Sequence, residues 1–525
     1  MQIMETNLTV PIAAENFEQA ALQITTAADS GAEMLELRVD YLQDLSVGLV
    51  KKLVAEAKSN TSPQLPIIVT CRDKQQGGAG SYPEQLRIGV LVGAVESGAE
   101  FIDLEYENYL SAQNRERIDS ALSKTSKTRL ILSAHNFETK FADIDKLHTE
   151  ILENCPEAIA KLVYTANNIN DCFDGFDLLH KTSGECIVFC MGEAGLISRI
   201  IARKLGCFVT FASIDDKSVT APGQLTIGEL KNLYRYDSIN SDTELFGVIA
   251  SPVAHSLSPA VHNTCFQDIR ANMLYLPLLV QGGKKGFDEF MHNVLDRKWL
   301  GFRGFSVTIP HKAHALDYVS GAGEFLESLA ADIGAVNTLK IGLNGRVSGY
   351  NTDYAGAMNA LVSAIGIKKR DLHNVDVAVI GAGGVGRAVV AGLTDVGAKI
   401  TIYNRTVTKA QALAEEFKCK YAGLDTLSQI DAKIVINCTS IGMYPNVEAT
   451  PLPQDYLKKE MVVFDTVYNP AETLLIRQAK QVGAKTVDGI SMFVNQALAQ
   501  FKIFTGRNGN AEIMNKIVFQ AVHNK

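Results

Sequence analysis

The stretch Val375–Leu393 reads VDVAVIGAGGVGRAVVAGL and decides the fold of the C-terminal part of the chain. A strand-like run ends at Ile380, and Gly381, Gly383 and Gly386 follow in the pattern G-x-G-x-x-G before a helix-forming segment. In a strand–turn–helix unit these glycines allow a tight turn and a close approach of the backbone to a pyrophosphate, whose charge the helix N-terminus favours. A plain glycine-rich turn is the alternative. We expect a dinucleotide to contact Gly381, Ala382, Gly383, Gly384, Val385 and Gly386.

The end of the next predicted strand indicates which dinucleotide binds. NAD-binding units place an Asp or Glu about 20 residues downstream, where it binds the ribose 2′-hydroxyl. Here the strand Lys399–Tyr403 is followed by Asn404, Arg405 and Thr406, without an acid. Because a guanidinium matches a 2′-phosphate, the sequence predicts NADP rather than NAD. The alternative is that Arg405 is an unrelated surface residue.

Short apolar runs recur through the first 212 residues at intervals of roughly 20 to 35 residues. They are LTVPI from Leu8, MLELRV from Met34, PIIVTC from Pro66, FIDLEY from Phe101, RLILSAH from Arg129, AIAKLVYTA from Ala158, CIVFCMG from Cys186 and CFVTFAS from Cys207. Helix-like stretches separate them. Eight β-then-α units predict a (β/α)₈ barrel with its functional side chains at the C-terminal ends of the strands. An open doubly wound sheet is the alternative.

A polar segment, Arg235–Thr243, interrupts this pattern and is typical of a linker. A second α/β pattern begins at Leu245 and runs into the glycine-rich unit. The sequence therefore predicts a barrel followed by further α/β domains.

Composition limits the classes of function. The chain has 525 residues, 50 Lys+Arg against 58 Asp+Glu and a formal charge of −8, which argues against binding to nucleic acid. Its apolar runs are too short to span a bilayer, and its first residues lack the features of a targeting signal. The nine cysteines are scattered without C-x-x-C, so we expect neither zinc nor disulfides, and a reducing compartment. We expect a cytoplasmic location, or the plastid stroma if a transit peptide was removed.

A lysine within an apolar strand is the first catalytic candidate. Lys161 lies in the run Ala158–Ala166, where a charge is costly unless it is paired or neutral. A desolvated amine can attack a carbonyl to give an iminium, and His135, after the preceding strand, could shuttle the proton. Alternatively, Lys161 points outward between strand and helix.

Three arginines form a second group at strand ends. Arg38, Arg72 and Arg199 could make a cationic rim that suits a small acidic substrate, because guanidinium groups match carboxylates. Each arginine alone is more often part of a surface salt bridge, so only the group supports this hypothesis.

The first half resembles type I 3-dehydroquinate dehydratase over nearly all of residues 1–236. The matching segments are Glu36–Asp40, Arg72 with Gly77-Gly78, Ser133–Phe137, Lys161, Met191–Arg199 and Pro222–Gln224. The resemblance implies that Lys161 forms a Schiff base with the ketone of 3-dehydroquinate, and that His135 removes the α proton and assists loss of the hydroxyl. It also implies that the substrate is held by Glu36, Arg38, Arg72, Arg199, Thr220 and Gln224. Gln76 stands where this family usually has an acid, and Thr220 where it usually has Ser.

Residues from about 245 to 525 resemble shikimate dehydrogenase. The matching segments are Gly247–Asn263, Ser306–Lys312, Gly334–Thr338, Gly349–Asp353, Asn404–Thr406 and Asn437–Met443. The resemblance implies that Lys312 and Asp353 form the acid/base pair at the carbonyl that receives hydride. A helix N-cap is the alternative role for Asp353.

The same resemblance assigns the remaining contacts of the second half. Ser256 and Ser258 would bind the shikimate carboxylate. The ring hydroxyls and the region near the nicotinamide would be contacted by Thr308, Asn337, Asp353, Gln496 and Tyr468. The nicotinamide itself would be flanked by Thr439, Ser440 and Met443, the last of which could equally be a core residue.

The order of the halves resembles the fused dehydratase–dehydrogenase of plants and some bacteria. It implies a barrel of residues 1–236, a substrate-binding domain of 243–350 and 489–525, and a Rossmann domain of 351–488. The expected activity is dehydration of 3-dehydroquinate followed by NADPH-dependent reduction to shikimate, with these small molecules and no obligate protein as partners. Three alternatives stay open: quinate dehydrogenase activity, a scaffolding barrel with little activity, and a class I aldolase barrel.

Overall fold

The computed structural model describes residues 6–61, 64–125, 127–254 and 256–523. The chain divides into two units, one ending at Thr243 and one starting at Glu244, except that Leu278–Gln281 group with the first. Among the described residues, no helix is long and apolar enough to cross a membrane.

The first unit is built on an eight-stranded parallel sheet. Its strands are β1 Asn7–Ile12, β2 Met34–Arg38, β3 Ile67–Thr70, β4 Phe101–Glu105, β5 Arg129–Asn136, β6 Ile159–Thr165, β7 Cys186–Met191 and β8 Val209–Phe211. The order β7-β6-β5-β4-β3-β2-β1-β8 is sequential, and Phe208 N donates to Cys186 O at 2.9 Å where the two ends of the sheet meet. A doubly wound sheet would reverse its order, so the barrel prediction is confirmed.

Helices follow the strands of the barrel. They are α1 Phe17–Asp29, α2 Val47–Ser59, α3 Glu84–Glu96, α4 Tyr106–Tyr109, α5 Ala112–Leu122, α6 Ile144–Asn154, α7 Phe173–Lys181, α8 Leu196–Ile200 and α9 Ala202–Leu205. Local sequence determines their ends. Asn16 caps α1 by accepting from Gln19 N at 3.0 Å, and Gly206 ends α9 with φ of +70°.

The second unit contains two sheets. Its strands are β9 Glu244–Ala250, β10 Met273–Leu279, β11 Phe302–Val307, β12 Thr338–Ile341, β13 Val347–Tyr350, β14 Asp376–Ile380, β15 Lys399–Asn404, β16 Lys420–Gly423, β17 Ile434–Asn437, β18 Val462–Asp465 and β19 Lys485–Val487. Strands β9–β13 form a mixed sheet in the order β10-β9-β11-β12-β13. The other six pair in parallel as β16-β15-β14-β17-β18-β19, which is the Rossmann order with its switch point between β14 and β17.

Helices of the second unit connect and cover these sheets. They are α10 Ser258–Asp268, α11 Gly283–Asp296, α12 Lys312–Gly321, α13 Ser328–Ile333, α14 Thr352–Ile365, α15 Gly384–Asp395, α16 Val407–Phe417, α17 Leu474–Gln481, α18 Gly489–Thr505 and α19 Ala511–His523. Helix α18 follows the last Rossmann strand but packs against β11 and β12 of the mixed sheet. Phe504 near its end lies 5.1 Å from Phe246 between ring centroids. Within the second unit the chain thus crosses between the two sheets twice, once before β14 and once after β19.

Candidate active sites

A cavity of about 80 Å³ opens among the strand ends of the barrel. The predicted residues that line it are Glu36, Arg38, Arg72, His135, Lys161, Arg199, Thr220 and Gln224. They come from strands β2, β5 and β6 and from the segments that follow β3, β7 and β8, so the fold brings together every barrel residue predicted from the sequence.

Lys161 points into the barrel from β6. Its Nζ lies 2.7 Å from Asp103 Oδ2 and 3.4 Å from Glu36 Oε1, and 4.8 Å from the centroid of the Phe211 ring. The side chain is buried. The hypothesis that Lys161 points outward is therefore wrong, and its burial is compensated by pairing with carboxylates.

Arg72 is occupied by protein groups. Its guanidinium donates to Asp103 Oδ2 at 2.8 Å, Glu105 Oε1 at 2.9 Å and Ser133 Oγ at 2.6 Å. Burial would raise the pKa of Asp103, but the adjacent charges of Arg72 and Lys161 outweigh it and lower that pKa below its usual value. Asp103 is therefore an anion over the whole neutral range.

The other two arginines of the predicted rim differ sharply. Arg38 forms a two-pronged pair with Asp40, at 2.9 and 2.8 Å. Arg199 is buried, and its Nε and Nη2 have no hydrogen-bond partner among the described residues. Its guanidinium lies 4.6 Å from the centroid of the Phe189 ring. Burial lowers the pKa of Arg199 to about 10, so it is charged and ready for an anion.

His135 is a neutral base whose tautomer the structure determines. Gln76 Nε2 donates to the Glu107 carboxylate at 3.1 Å, so Gln76 Oε1 faces His135 Nδ1, also at 3.1 Å. Because that oxygen only accepts, Nδ1 carries the proton and Nε2 keeps its lone pair. Burial and the positive charges of Arg72 and Lys161 hold the pKa of His135 well below its ordinary value.

The segment after β8 contributes one wall of this cavity. Thr220 donates to Gln224 Oε1 through its Oγ1 at 3.1 Å and through its backbone N–H at 2.9 Å. This pairing orients the Gln224 amide so that its NH₂ group is the end left to meet a hydroxyl or a carboxylate.

A second cavity, of about 340 Å³, lies in the second unit. The predicted residues that line it are Ser256, Ser258, Thr308, Lys312, Asn337, Asp353, Tyr468 and Gln496. Val385 of the glycine-rich loop lines it as well, so the dinucleotide loop adjoins the same space.

Lys312 and Asp353 form the central pair of this second cavity. Lys312 Nζ lies 2.5 Å from Asp353 Oδ2, and Asn337 Nδ2 donates to Asp353 Oδ1 at 2.9 Å. The N-cap of α14 is Asn351, whose side chain accepts from Asp353 N at 3.1 Å. The capping role considered for Asp353 is therefore wrong, and its carboxylate is available to the cavity.

The glycine-rich loop has the shape that a dinucleotide requires. A Cβ on Gly386 would lie 2.1 Å from Gly381 O, so only glycine allows α15 to pack this closely on its strand. At Gly383 and Gly384 a Cβ would meet open space, and α15 begins there without a side-chain cap. Its first N–H groups are therefore free for a phosphate.

The other predicted cofactor residues surround this loop. Asn404 Oδ1 accepts from Ala382 N at 3.2 Å and ties the end of β15 to the loop. Arg405 and Thr406 follow, both exposed. Beyond β17, Thr439 donates to Asn437 Oδ1, and the next residues include Ser440 and Met443. The Met443 side chain is 45% exposed, so the core role considered for it is wrong.

Comparison with known proteins agrees with this geometry. A bifunctional 3-dehydroquinate dehydratase/shikimate dehydrogenase of Arabidopsis thaliana is 37% identical over 511 residues, which cover 94% of this chain and 81% of that protein. The chain belongs to this bifunctional family. Its matching family models are type I 3-dehydroquinase (8–241), shikimate dehydrogenase substrate binding domain (248–339), shikimate/quinate 5-dehydrogenase (364–488) and shikimate 5′-dehydrogenase C-terminal domain (489–519).

The dehydrogenase half of this bifunctional dehydratase/dehydrogenase also matches single-function proteins. An NADP⁺-dependent shikimate dehydrogenase of Methanocaldococcus jannaschii is 40% identical over 297 residues, covering 54% of this chain and 99% of that protein. A solved shikimate dehydrogenase in complex with NADP⁺ matches with a TM-score of 0.50 and 38% identity, covering 54% of this chain and 97% of that one.

Sequence reasoning missed several polar residues of the bifunctional enzyme. Asp103 is charged within an apolar strand, the same signal that singled out Lys161. In the second unit, Tyr275 donates to Ser306 Oγ at 2.5 Å, and Ser306 donates to Gln500 Oε1 at 2.8 Å beside the cavity. No sequence spacing connects these three residues, because they come from β10, β11 and α18.

Proposed function

We propose that this chain dehydrates 3-dehydroquinate to 3-dehydroshikimate in the barrel, and reduces 3-dehydroshikimate to shikimate with NADPH in the second unit. The proposed domains are residues 1–236, residues 243–350 with 489–525, and residues 351–488. Family membership supports both activities. The single observation that carries the first is the meeting of Lys161, a neutral His135 and an unpaired, buried Arg199 in one cavity.

In the barrel, Arg199 binds the substrate carboxylate with the Nε and Nη2 atoms, which have no partner within the described part of the chain. This contact places the ketone near Lys161 Nζ. Lys161 condenses with the ketone to an iminium, which acidifies the neighbouring C–H bond. His135 takes that proton on Nε2, because its Nδ1 is committed to Gln76. The same proton then leaves with the hydroxyl as water, and a water molecule hydrolyses the remaining iminium to release 3-dehydroshikimate and free Lys161.

Glu36, Thr220 and Gln224 are proposed to hold substrate hydroxyls, since all three line the barrel cavity. Arg38 and Arg72 line it too, but their guanidinium groups are paired with Asp40 and Asp103. We assign them to shaping the cavity wall, and the carboxylate contact to Arg199.

In the second unit, Ser256 and Ser258 are proposed to donate to the shikimate carboxylate. Thr308, Asn337, Tyr468 and Gln496 would surround the ring, as their positions in the lining allow. Lys312 gives a proton to the carbonyl oxygen as it becomes a hydroxyl. Asp353 orients that ammonium and stabilises its charge.

The residues around the glycine-rich loop fit NADP. The open space at Gly383 and Gly384 and the uncapped start of α15 suit a pyrophosphate, and Arg405 suits the 2′-phosphate. Thr439, Ser440 and Met443 are proposed to lie near the nicotinamide. When bound, NADPH supplies the hydride.

The three alternatives are weaker. The dehydratase family match is inconsistent with an aldolase, and the assembled Lys161–His135 cavity argues against a mere scaffold. NADP-dependent shikimate dehydrogenases among the relatives favour shikimate over quinate. We further propose a cytoplasmic location, with no nucleic acid or membrane as a partner.

Two assays test the proposal separately. Incubation with 3-dehydroquinate and no cofactor should produce the near-ultraviolet absorbance of a conjugated enone, and added NADPH should then be oxidised. Lys161→Ala should abolish the enone signal but leave reduction of supplied 3-dehydroshikimate unchanged. Enone formation at the wild-type rate in Lys161→Ala contradicts the Schiff-base mechanism. Faster turnover of quinate than of shikimate contradicts the second assignment.

A further inference from the structure

A buried carboxylate behind the barrel cavity has no task in the mechanism above. Asp103 Oδ2 lies 2.7 Å from Lys161 Nζ and 2.8 Å from Arg72 Nη2, while Oδ1 accepts from Ser133 Oγ at 2.7 Å. The Asp103 carboxylate is almost completely shielded from solvent. It is thus held on three sides and contacts the nitrogen that would react with the ketone.

Several charged or titratable groups face Lys161. The carboxylates that contact it are Glu36 on β2 and Asp103 on β4, and the other charged or titratable groups of the same cavity are Arg38, Arg72, His135 and Arg199. Glu105 on β4 lies one step further away, on Arg72. Of the carboxylates, Asp103 makes the shortest contact with Nζ. Arg72 is directed at Asp103 and Glu105, and so keeps Asp103 from taking up a proton.

We propose that Asp103 is the counter-ion of the iminium that forms on Lys161, and that Arg72 and Ser133 are positioning residues for Asp103. This inference rests on the proposed dehydratase function. It gives Arg72 a task that differs from binding the substrate carboxylate.

The charge balance of the reaction explains why a fixed anion is useful. When the Lys161 ammonium condenses with a ketone, two of its protons pass to the carbonyl oxygen, which leaves as water. The new C=N bond keeps the one positive charge. Removal of the α proton by His135 gives a neutral enamine, and loss of the hydroxyl with that proton restores the charge. Asp103 therefore faces the same cation before condensation and in both iminium states.

This balance predicts how the iminium depends on pH. With Asp103 in place, condensation neither takes up nor releases a proton, so the fraction of iminium at equilibrium should not change with pH. Asp103→Asn removes the carboxylate nearest this nitrogen, and each iminium that forms from a neutral amine takes up one proton. The fraction should fall by up to about tenfold per pH unit as the pH rises.

The test uses full-length protein without NADPH. Wild type, Asp103→Asn and Glu105→Gln are equilibrated with 3-dehydroshikimate from about pH 6 to about pH 9, trapped with borohydride and weighed by intact-mass spectrometry. Glu105→Gln is the matched control, because Glu105 also accepts from Arg72 at 2.9 Å but does not touch Lys161. We expect a constant adduct fraction in wild type and Glu105→Gln, and a falling fraction in Asp103→Asn only.

The outcomes are distinguishable. No adduct in wild type overturns the proposed Schiff-base dehydratase itself. An adduct in wild type with an equally constant fraction in Asp103→Asn overturns the counter-ion alone, as does a parallel fall in Glu105→Gln. If Asp103→Asn does not fold, the wild-type protein alone still tests the proposal. A wild-type iminium fraction that falls about tenfold per pH unit contradicts it, and a constant fraction supports it.

Discussion

Replacing Arg199 with Met should change activity and stability in opposite directions. The guanidinium is buried, lies over Phe189 and leaves Nε and Nη2 without a partner among the described residues. In the free protein the buried, unpaired charge of Arg199 therefore lowers stability. In the substrate complex the same guanidinium is proposed to bind the carboxylate. Met has a similar length, no charge and enough flexibility to fill the same space.

The two magnitudes follow from separate observations. Two charge-assisted hydrogen bonds of about 1.5–3 kcal/mol each predict a loss of about 3–6 kcal/mol in transition-state binding, or roughly 10²- to 10⁴-fold in kcat/KM. A pKa lowered from 12.5 to about 10 corresponds to about 3 kcal/mol against the charged side chain in the folded state. Replacing the guanidinium also removes its contact with the Phe189 ring, which costs about 1–2 kcal/mol of stability and offsets part of this gain. We expect the barrel to gain about 1–2 kcal/mol of stability.

Enone formation measures the activity, and differential scanning calorimetry of the whole chain measures the stability. The barrel transition is identified as the one whose melting temperature NADP⁺ does not change. In Arg199→Met that melting temperature should rise by about 2–4 °C per kcal/mol of added stability. Arg203→Met is the control, because Arg203 is paired with Glu33 and lies over Tyr236; it should lose stability and keep its kcat/KM. An Arg199→Met variant that dehydrates within threefold of wild type, or that melts earlier, refutes the reasoning.

Three further predictions concern other residues. Gln76→Glu puts an anion beside His135 and should raise the pKa of His135. As the pH is lowered, the dehydratase kcat/KM of this variant should therefore begin to fall at a higher pH than that of wild type. An unchanged pH profile contradicts this prediction. Lys312→Met should lower kcat for NADPH oxidation by about 10²- to 10⁴-fold and leave enone formation unaffected, and equal losses in both assays would count against it. Arg405→Ala should raise the KM for NADPH by about tenfold with little change for NADH, as initial rates with each cofactor would show.

Local features of the fold were predictable from the sequence, and long-range pairing was not. The glycine loop at Gly381–Gly386 and the strand runs are each contained within a few residues, so spacing alone predicts them. Which guanidinium is free depends on neighbours far along the chain: Arg72 meets Asp103, 31 residues away, and Ser133, 61 residues away. The sequence treats Arg72 and Arg199 alike, and only the order of the strands separates them.

The same limit applies to the histidine. Gln76 could be identified as a departure from the family pattern, but its effect depends on Glu107, which lies 31 residues away and orients its amide. The resemblance to the dehydratase family indicates only that Gln76 stands where an acid is usual. The geometry adds that its oxygen still selects the tautomer of His135.

The interlocked charges inside the barrel also bear on how the chain assembles. Glu36, Arg72, Asp103 and Lys161 come from, or directly follow, strands β2, β3, β4 and β6, and each is compensated by a group from a different strand. A half-formed barrel would hold at least one of them buried and unpaired, at a cost of several kcal/mol. Partly formed barrels are therefore expected to be unstable intermediates, and the polar interior favours closure of the sheet in one cooperative step.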